Sequence, residues 1–324
     1  MTFIMLIVGF IFLIKGADIF VEGTSSIAKK FKVPSMVIGL TIVAMGTSAP
    51  EAAVSITSSL AGQNDMSIAN VVGSNFFNIL MVLGVSSIMA TLPVEKSTIK
   101  KDTPFLIAIS IILLIFSIDL HISRIEGLLL LVLFAYFLMD TIKIAKKSNV
   151  EDIGDFGESA IDIDESIVKD IDNQASINIV KTIFISLIGM ICIIFGGDLV
   201  VDSATSIAKD FGMSSNLIGL TVVAMGTSLP EFVTSIVAVK KGETDIAIGN
   251  VIGSNIFNIL LVLGLAMSIN PISVSLISAI DIIFMVFITI VLYLFMKKNN
   301  SLIKSQGFIL VCLYFIYIIY TIIR

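Results

Sequence analysis

The sequence has 324 residues and a formal net charge of −5; 56% of its residues are hydrophobic, 14% are charged, and the mean hydropathy is +1.06. Apolar runs of about 18 to 25 residues recur along the whole chain, and each is long enough to cross a hydrocarbon core about 30 Å thick. This composition excludes an ordinary soluble domain and predicts an all-α polytopic membrane protein in the lipid bilayer, with no nucleic-acid partner.

Ten transmembrane helices are predicted from the apolar pattern. Their approximate bounds are 2–21, 35–59, 67–90, 103–120, 124–143, 177–200, 214–239, 246–268, 272–296 and 305–323. When the N-terminus is placed outside, sixteen lysines fall on the cytoplasmic side, three basic residues fall outside, and Lys15 lies within the first span. Since basic residues concentrate in cytoplasmic loops, we expect a multi-pass protein of the cell membrane with both termini extracellular.

A proline and a glutamate stand together in the second predicted span and again in the seventh. The segment GLTIVAMGTSAPE at 39–51 returns as GLTVVAMGTSLPE at 219–231, 180 positions later and identical at eleven of thirteen positions. Pro50 and Pro230 lack an amide N–H, so each helix is predicted to break or kink just before its proline. Glu51 and Glu231 are ionisable residues at membrane depth, which usually mark an ion or substrate pathway.

Two hydroxyl residues precede each of these glutamates. Thr47 and Ser48 lie four and three positions before Glu51, which places them on its helical face. The second copy repeats the arrangement with Thr227, Ser228 and Glu231. Carboxylate, hydroxyl and freed carbonyl oxygens form a hard ligand set that suits Na⁺ or Ca²⁺. A kinked helix with a hydrogen-bonded glutamate and no ion is the alternative interpretation.

A second motif follows the first in both halves. IANVVGSNFFNILMVLG at 68–84 matches IGNVIGSNIFNILLVLG at 248–264 at thirteen of seventeen positions, again 180 apart. Ser74 and Asn78 are four residues apart and share a helix face, and the second copy supplies Ser254 and Asn258. We expect these side chains to add neutral oxygens beside the glutamates, whereas the adjacent Asn75 and Asn255 are expected to point elsewhere. Hydrogen bonding between packed helices is the alternative role for all of them.

The repeats divide the chain into three parts. Residues 1–145 form a first five-helix repeat, residues 146–176 an acidic cytoplasmic linker, and residues 177–324 a second five-helix repeat. Because each repeat holds an odd number of spans, the second copy is predicted to be inverted relative to the first, as in many secondary transporters. Nine acidic residues lie within 151–172 and predict a solvated linker, which lacks the glycine and final glutamate of an EF-hand loop.

With GTSAPE and GTSLPE followed by GSNFFN and GSNIFN, the chain resembles the cation/calcium exchanger superfamily, and within it the prokaryotic sodium/calcium exchangers. The resemblance implies a ten-helix bundle that exchanges Na⁺ for Ca²⁺ by alternating access, with no enzymatic activity, cofactor or obligatory protein partner. It implies that Glu51 and Glu231 bind Ca²⁺ with the carbonyls of Thr47 and Thr227. The implied Na⁺ positions add Ala44, Ser48 and Ser74 from the first half and Ala224, Ser228 and Ser254 from the second. The first and sixth helices are implied to slide across the other eight.

One position departs from well-known members of that superfamily. They carry an aspartate in the eighth helix where this chain has Asn258, the repeat equivalent of Asn78. The centre is therefore expected to hold two carboxylates, which one Ca²⁺ balances and three Na⁺ leave at +1. This charge balance is compatible with 3:1 exchange. The resemblance associates K⁺ co-transport with an acid at that position, so K⁺ co-transport is not expected here.

Three other functions fit parts of the pattern. A H⁺/Ca²⁺ exchanger on the same scaffold needs no new residue, because Glu51 and Glu231 can take protons. An intramembrane aspartyl protease is a distant alternative that uses Asp18 and Asp198, since two aspartates can share a proton and activate water. A channel is the third, although paired broken helices around one central site favour alternating access.

Overall fold

The computed structural model describes residues 2–62, 64–154, 178–212 and 224–323. The helices of the first half are α1 (Thr2–Lys30), α2 (Ser35–Ile38), α3 (Ala44–Thr47), α4 (Ala49–Leu60), α5 (Asn64–Phe76), α6 (Leu83–Met89), α7 (Thr103–Phe116) and α8 (Arg124–Gly154). Those of the second half are α9 (Ile179–Asp210), α10 (Ala224–Gly226), α11 (Leu229–Lys240), α12 (Thr244–Phe257), α13 (Gly264–Ile269), α14 (Leu276–Asn299) and α15 (Lys304–Ile323). Within the described ranges, π-helical segments adjoin these helices at Gly39–Val43, Phe77–Val82, Thr98–Asp102 and Asn258–Leu263.

The helices have the length and composition of membrane spans. Among the described residues, seven helices are long and apolar enough to cross a membrane, and the count rises to eight when the pair Ser35–Thr47 and Ala49–Leu60, bent by 48°, is taken as one span. Every one of the ten predicted spans contains helix where the structure describes it. The main differences are in length: α1, α8 and α9 run past the predicted ends of their spans, and α8 continues into the predicted linker as far as Gly154. The rest of that linker lies outside the described residues.

The two helices that carry the second motif lie at the centre of the protein. In their most apolar 18-residue stretches, 78% of Met66–Met89 and 94% of Thr244–Ile269 is buried, against 17% of Arg124–Lys146. The latter helix exposes large apolar side chains such as Leu128 and Val132, as expected for a helix that faces lipid. The repeated polar motifs are therefore packed inside a ring of apolar helices, which excludes both lipid and bulk water from them.

Helices α1 and α9 form a close antiparallel pair. A Cβ atom added at Gly16 would lie 2.8 Å from the Gly189 carbonyl oxygen, and one added at Gly196 would lie 2.8 Å from the Gly9 carbonyl oxygen. Such backbone contact is possible only with glycine, and small residues commonly allow membrane helices to approach in this way.

Short strands tie the two halves together at the helix ends. The strand β1 (Leu92–Pro93) pairs antiparallel with β4 (Ser301–Leu302), and β2 (His121–Ile122) pairs antiparallel with β3 (Ile272–Ser273). In register, Leu92 lies opposite Leu302 and His121 lies opposite Ser273. Each pair joins a loop of the first half to a loop of the second.

Candidate functional site

The helix is broken just before each proline, as the sequence predicts. α3 ends at Thr47 and α4 begins at Ala49, with Ser48 between them at φ −83° and ψ 8°. In the second half, Ser228 stands before α11 at φ −91° and ψ 6°. Glu51 and Glu231 consequently lie in the first turns of α4 and α11, where the positive end of the helix dipole favours a negative charge.

Each glutamate is fully buried and is bonded to a serine from the opposite half. The Glu51 Oε1 atom accepts a hydrogen bond of 3.0 Å from Ser228 Oγ and one of 3.2 Å from Ser74 Oγ. The Glu231 Oε1 atom accepts a bond of 2.9 Å from Ser48 Oγ and one of 3.3 Å from Ser254 Oγ. Sequence spacing placed Ser48 on the face of Glu51, but its hydroxyl crosses to Glu231. The site is thus built between the two halves rather than within each half.

The second carboxylate oxygens are left for a ligand. Among the described residues, Oε2 of Glu51 and Oε2 of Glu231 are buried and have no hydrogen-bond partner. No ion pair joins either carboxylate to a lysine or arginine in the described chain. A buried carboxylate without compensation is costly, so a cation or a proton must neutralise it. No group of three or more His, Cys, Asp or Glu side chains that could hold a metal occurs in the described ranges, and the charge at this centre therefore comes from two carboxylates.

Two asparagine pairs also cross between the halves. Asn258 Nδ2 donates to Asn75 Oδ1 at 3.1 Å and to Ser74 Oγ at 3.1 Å, and Asn78 Nδ2 donates to Asn255 Oδ1 at 3.2 Å. These bonds occupy the amide nitrogens, while Oδ1 of Asn78 and Oδ1 of Asn258 remain buried and unpartnered in the described structure. Four oxygens are thus available at the centre, two from carboxylates and two from amides. Oxygen ligands of both kinds suit Na⁺ and Ca²⁺.

The remaining predicted ligands lie on the same broken helices. Thr47 Oγ1 donates to Asn250 Oδ1 at 3.0 Å. A hydroxyl that donates its proton keeps its lone pairs, so this oxygen as well as the Thr47 carbonyl can serve an ion. Thr227 Oγ1 is buried without a partner in the described part of the chain. Ala44 is fully buried at the start of α3, and Ala224 begins α10, although its side chain lies outside the described set.

Four asparagines of the site were missed or misjudged from the sequence. The expectation that Asn75 and Asn255 point elsewhere is wrong, because both accept bonds from predicted ligands. Asn70 Nδ2 donates to the Glu51 carbonyl at 3.2 Å, and Asn250 Nδ2 donates to the Glu231 carbonyl at 3.3 Å. The available signal was their identity in both repeats, since all four are asparagine at positions 180 apart.

The aspartates of the protease alternative do not meet. α1 and α9 run antiparallel with Gly16 beside Gly189 and Gly9 beside Gly196, so Asp18 and Asp198 lie about eleven residues, or about 16 Å, apart along the pair. Asp18 instead lies 2.9 Å from Lys241 Nζ in an ion pair. Two aspartates at this separation cannot share a proton, and the protease hypothesis is wrong.

Comparison with known proteins agrees with this geometry. The family model described as "Sodium/calcium exchanger protein" matches residues 1–142 and 181–323. The sodium/calcium exchanger MaX1 of Methanosarcina acetivorans is 32% identical over 345 aligned positions that cover 98% of this chain and 97% of that protein. The inner membrane protein YrbG of Escherichia coli is 35% identical over 82% of this chain and 79% of its own length.

A solved structure has the same fold. The sodium-calcium exchanger NCX_Mj, soaked with zero Na⁺ and Ca²⁺, superposes with a TM-score of 0.83 at 32% identity, over 98% of this chain and 97% of its own. The resemblance inferred from the motifs is confirmed, and so is the all-α polytopic membrane fold. These relatives are transporters rather than enzymes and use no cofactor. The chain belongs to the sodium/calcium exchanger protein family.

Proposed function

We propose that this chain is a secondary active antiporter that exchanges Na⁺ for Ca²⁺ by alternating access. The observation that carries the proposal is the set of buried, unpartnered oxygens at the junction of the two halves. They are Oε2 of Glu51, Oε2 of Glu231, Oδ1 of Asn78 and Oδ1 of Asn258. A site that presents only oxygen atoms and two uncompensated charges to its interior is suited to hard cations.

The proposed ligands of Ca²⁺ and Na⁺ differ in how many carboxylates they include. Ca²⁺ is assigned to Glu51 and Glu231 together with the carbonyls of Thr47 and Thr227, because a divalent ion gains most from two carboxylates. The proposed Na⁺ positions use single carboxylate oxygens with neutral groups. These groups are Ala44, Ser48, Ser74, Ala224, Ser228 and Ser254, with Asn78 and Asn258 between the halves. The crossed serine bonds support this sharing, since each Glu Oε1 already contacts hydroxyls from both halves.

Charge and energy favour a 3:1 ratio. Two carboxylates are balanced by one Ca²⁺ and left at +1 by three Na⁺, so exchange is proposed to be electrogenic. A tenfold Na⁺ gradient supplies about 1.4 kcal/mol per ion, and one net charge across 100 mV adds about 2.3 kcal/mol. Inward movement of three Na⁺ then supplies about 6.5 kcal/mol, which can maintain a ratio of order 10⁴ between the Ca²⁺ concentrations on the two sides of the membrane. Two Na⁺ for one Ca²⁺ sustain only about a hundredfold ratio.

The proposed architecture is ten transmembrane helices in two inverted repeats, at 1–145 and 177–324, with both termini outside the cell membrane. The strand pairs support this topology. β1 and β4 join two loops that it places on the cytoplasmic side, whereas β2 and β3 join two loops that it places outside. The ion pair between Lys101 and Asp140 likewise joins two predicted cytoplasmic helix ends. The acidic linker at 146–176 stays a prediction, and no obligatory protein partner is proposed.

Ca²⁺ uptake into proteoliposomes tests the function. Vesicles loaded with Na⁺ and diluted into choline medium are expected to take up Ca²⁺, whereas choline-loaded vesicles are not. An imposed potential, inside positive, is expected to speed uptake, because each cycle of the proposed 3:1 exchange moves one net positive charge out of the vesicle. Uptake that is indifferent to the Na⁺ gradient would contradict the proposal.

H⁺/Ca²⁺ exchange is the second candidate. It is favoured by one feature, the absence of any lysine or arginine ion pair at Glu51 and Glu231 in the described residues, which lets a proton serve as well as Na⁺. Uptake driven by a pH gradient in the absence of Na⁺ identifies this mode.

A further inference from the structure

One face of α1 carries a stripe of polar side chains outside the ion site. Asp18, Glu22, Ser25 and Lys29 follow one another at spacings of four, three and four residues. Residues at these spacings lie on the same side of a helix. Their contacts all lie in the short turn that joins α11 to α12.

Two residues of that turn hold the stripe. Lys241 Nζ lies 2.9 Å from Asp18 Oδ1 and 3.2 Å from Glu22 Oε2. Glu243 Oε1 accepts a hydrogen bond from Ser25 Oγ and lies 3.4 Å from Lys29 Nζ. Burial lowers the pKa of Lys241, but its hydrogen bonds to Asp18 and Glu22 and their charges raise it further, so the net shift is upward and the ammonium stays charged.

The repeat equivalent of this arrangement lacks both charged partners of the turn. α9 carries the same stripe 180 residues later as Asp198, Asp202, Thr205 and Lys209. The turn that symmetry places opposite them has Ala61 where the other has Lys241, and Gln63 where the other has Glu243. No lysine or arginine occurs anywhere from 60 to 66, so this turn cannot form the equivalent ion pairs.

The side chains of α11 are also less exposed than their repeat equivalents on α4. α1 packs along α11, which leaves Val233 and Val237 partly buried. Their equivalents on α4, Ala53 and Thr57, are exposed, and in the described chain α9 makes no comparable contact with α4. In the described chain, α1 therefore covers α11 more fully than α9 covers α4.

We propose that the contacts of Lys241 and Glu243 with α1 form a latch that holds the α11 face closed, and that the α4 face lacks the equivalent charged pairs. The inference rests on the proposed antiporter function, in which α1 and α9 move relative to the other helices. In the proposed topology the latched face is cytoplasmic. Each turnover must then break the latch before Ca²⁺ or Na⁺ can reach the cytoplasm.

Labelling of an engineered cysteine tests the latch without any transport. The full chain is purified in lipid nanodiscs, with Cys192→Ser and Cys312→Ser to remove both native thiols and Val237→Cys as reporter on the closed face. The rate of reaction with a polar maleimide then measures how often that face opens. Glu243→Lys, which places two lysines together, is expected to speed labelling about two- to fivefold, the range for one exposed ion pair. Lys241→Gln is expected to act in the same direction.

A charge swap shows whether faster labelling comes from loss of the latch or from a general destabilisation of the fold. Lys29→Glu combined with Glu243→Lys restores an attractive pair but not the hydrogen bond from Ser25, so it is expected to lower the labelling rate from that of Glu243→Lys towards that of the parent. Lys240→Ala, which removes a neighbouring exposed lysine with no part in the latch, is the matched control and is expected to change nothing. A second reporter, Ala53→Cys on the exposed face of α4, is expected to label fast in every variant.

Unchanged labelling of Val237→Cys in both Glu243→Lys and Lys241→Gln overturns the proposal. So does faster labelling in Glu243→Lys that the added Lys29→Glu substitution fails to reduce at all. Either result leaves the parent's Na⁺-driven Ca²⁺ uptake as a separate measurement, so failure of the latch and failure of the proposed function are distinguishable.

Discussion

Replacing Glu51 with glutamine removes one charge from the centre while keeping the size of the side chain and one of its oxygens. Glu51 is fully buried, and in the described chain no lysine or arginine shares its charge. Its hydrogen bonds from Ser74 and Ser228 can still be accepted by the amide oxygen. The substitution therefore isolates the electrostatic contribution of one carboxylate to ion binding.

The size of that contribution depends on the charge of the ion. Two unit charges about 4 Å apart interact by about 4 kcal/mol at an effective dielectric constant of 20, and a divalent ion doubles this to about 8 kcal/mol. If the dipole of the glutamine amide replaces about half of this interaction energy, the binding free energy falls by about 4 kcal/mol for Ca²⁺ and by about 2 kcal/mol for Na⁺. We therefore expect Glu51→Gln to weaken the binding of Ca²⁺ about a thousandfold and the binding of Na⁺ about thirtyfold.

Equilibrium binding to the purified protein measures both ions separately, and proteoliposome flux measures exchange. Glu231→Gln is expected to behave in the same way, because it occupies the equivalent place in the second half. Glu126→Gln is the matched control, since Glu126 only caps α8 through Ser123 at 2.7 Å. A loss of Ca²⁺ affinity in Glu51→Gln no larger than the loss of Na⁺ affinity would refute the two-carboxylate site.

Further variants test other parts of the structure. Asn258→Asp adds a third acid close to the other two, and like charges this close favour proton uptake; Na⁺-driven Ca²⁺ flux measured from pH 5.5 to 8.5 should become steeper than in the parent. Asn75→Ala and Asn258→Ala should be strongly non-additive in Na⁺ affinity, because they break the same bond. Deletion of 155–172 should change the Ca²⁺ dependence of flux less than tenfold, since a solvated loop adds little closure cost. Gly16→Leu should reduce the thermal stability measured in detergent, because a Cβ at this position would lie 2.8 Å from the Gly189 carbonyl oxygen.

Local features of the fold could be predicted from the sequence. Apolar length predicted the helices, and the missing N–H of Pro50 and Pro230 predicted the breaks at Ser48 and Ser228. Contacts between the repeats could not be predicted in this way. Ser48 shares a helical face with Glu51 by spacing, yet its hydroxyl donates to Glu231, 183 residues away. Periodicity reports only which residues share a face of one helix, and it does not report which helix of the other half packs there.

The crossed bonds also bear on the choice between a carrier and a channel. A channel needs a path that stays continuous while ions pass, and its ligands can all belong to one static half. Here the carboxylate of Glu51 is hydrogen-bonded by Ser228, and that of Glu231 by Ser48, so each charged group is completed by the half that does not carry it. An ion bound at this junction contacts both halves at once, while a site that holds neither cation nor proton leaves two buried negative charges uncompensated. Movement of one half past the other with the site empty is therefore costly, and movement with ions bound is favoured. That coupling of occupancy to movement is what an antiporter requires and what a channel does not use.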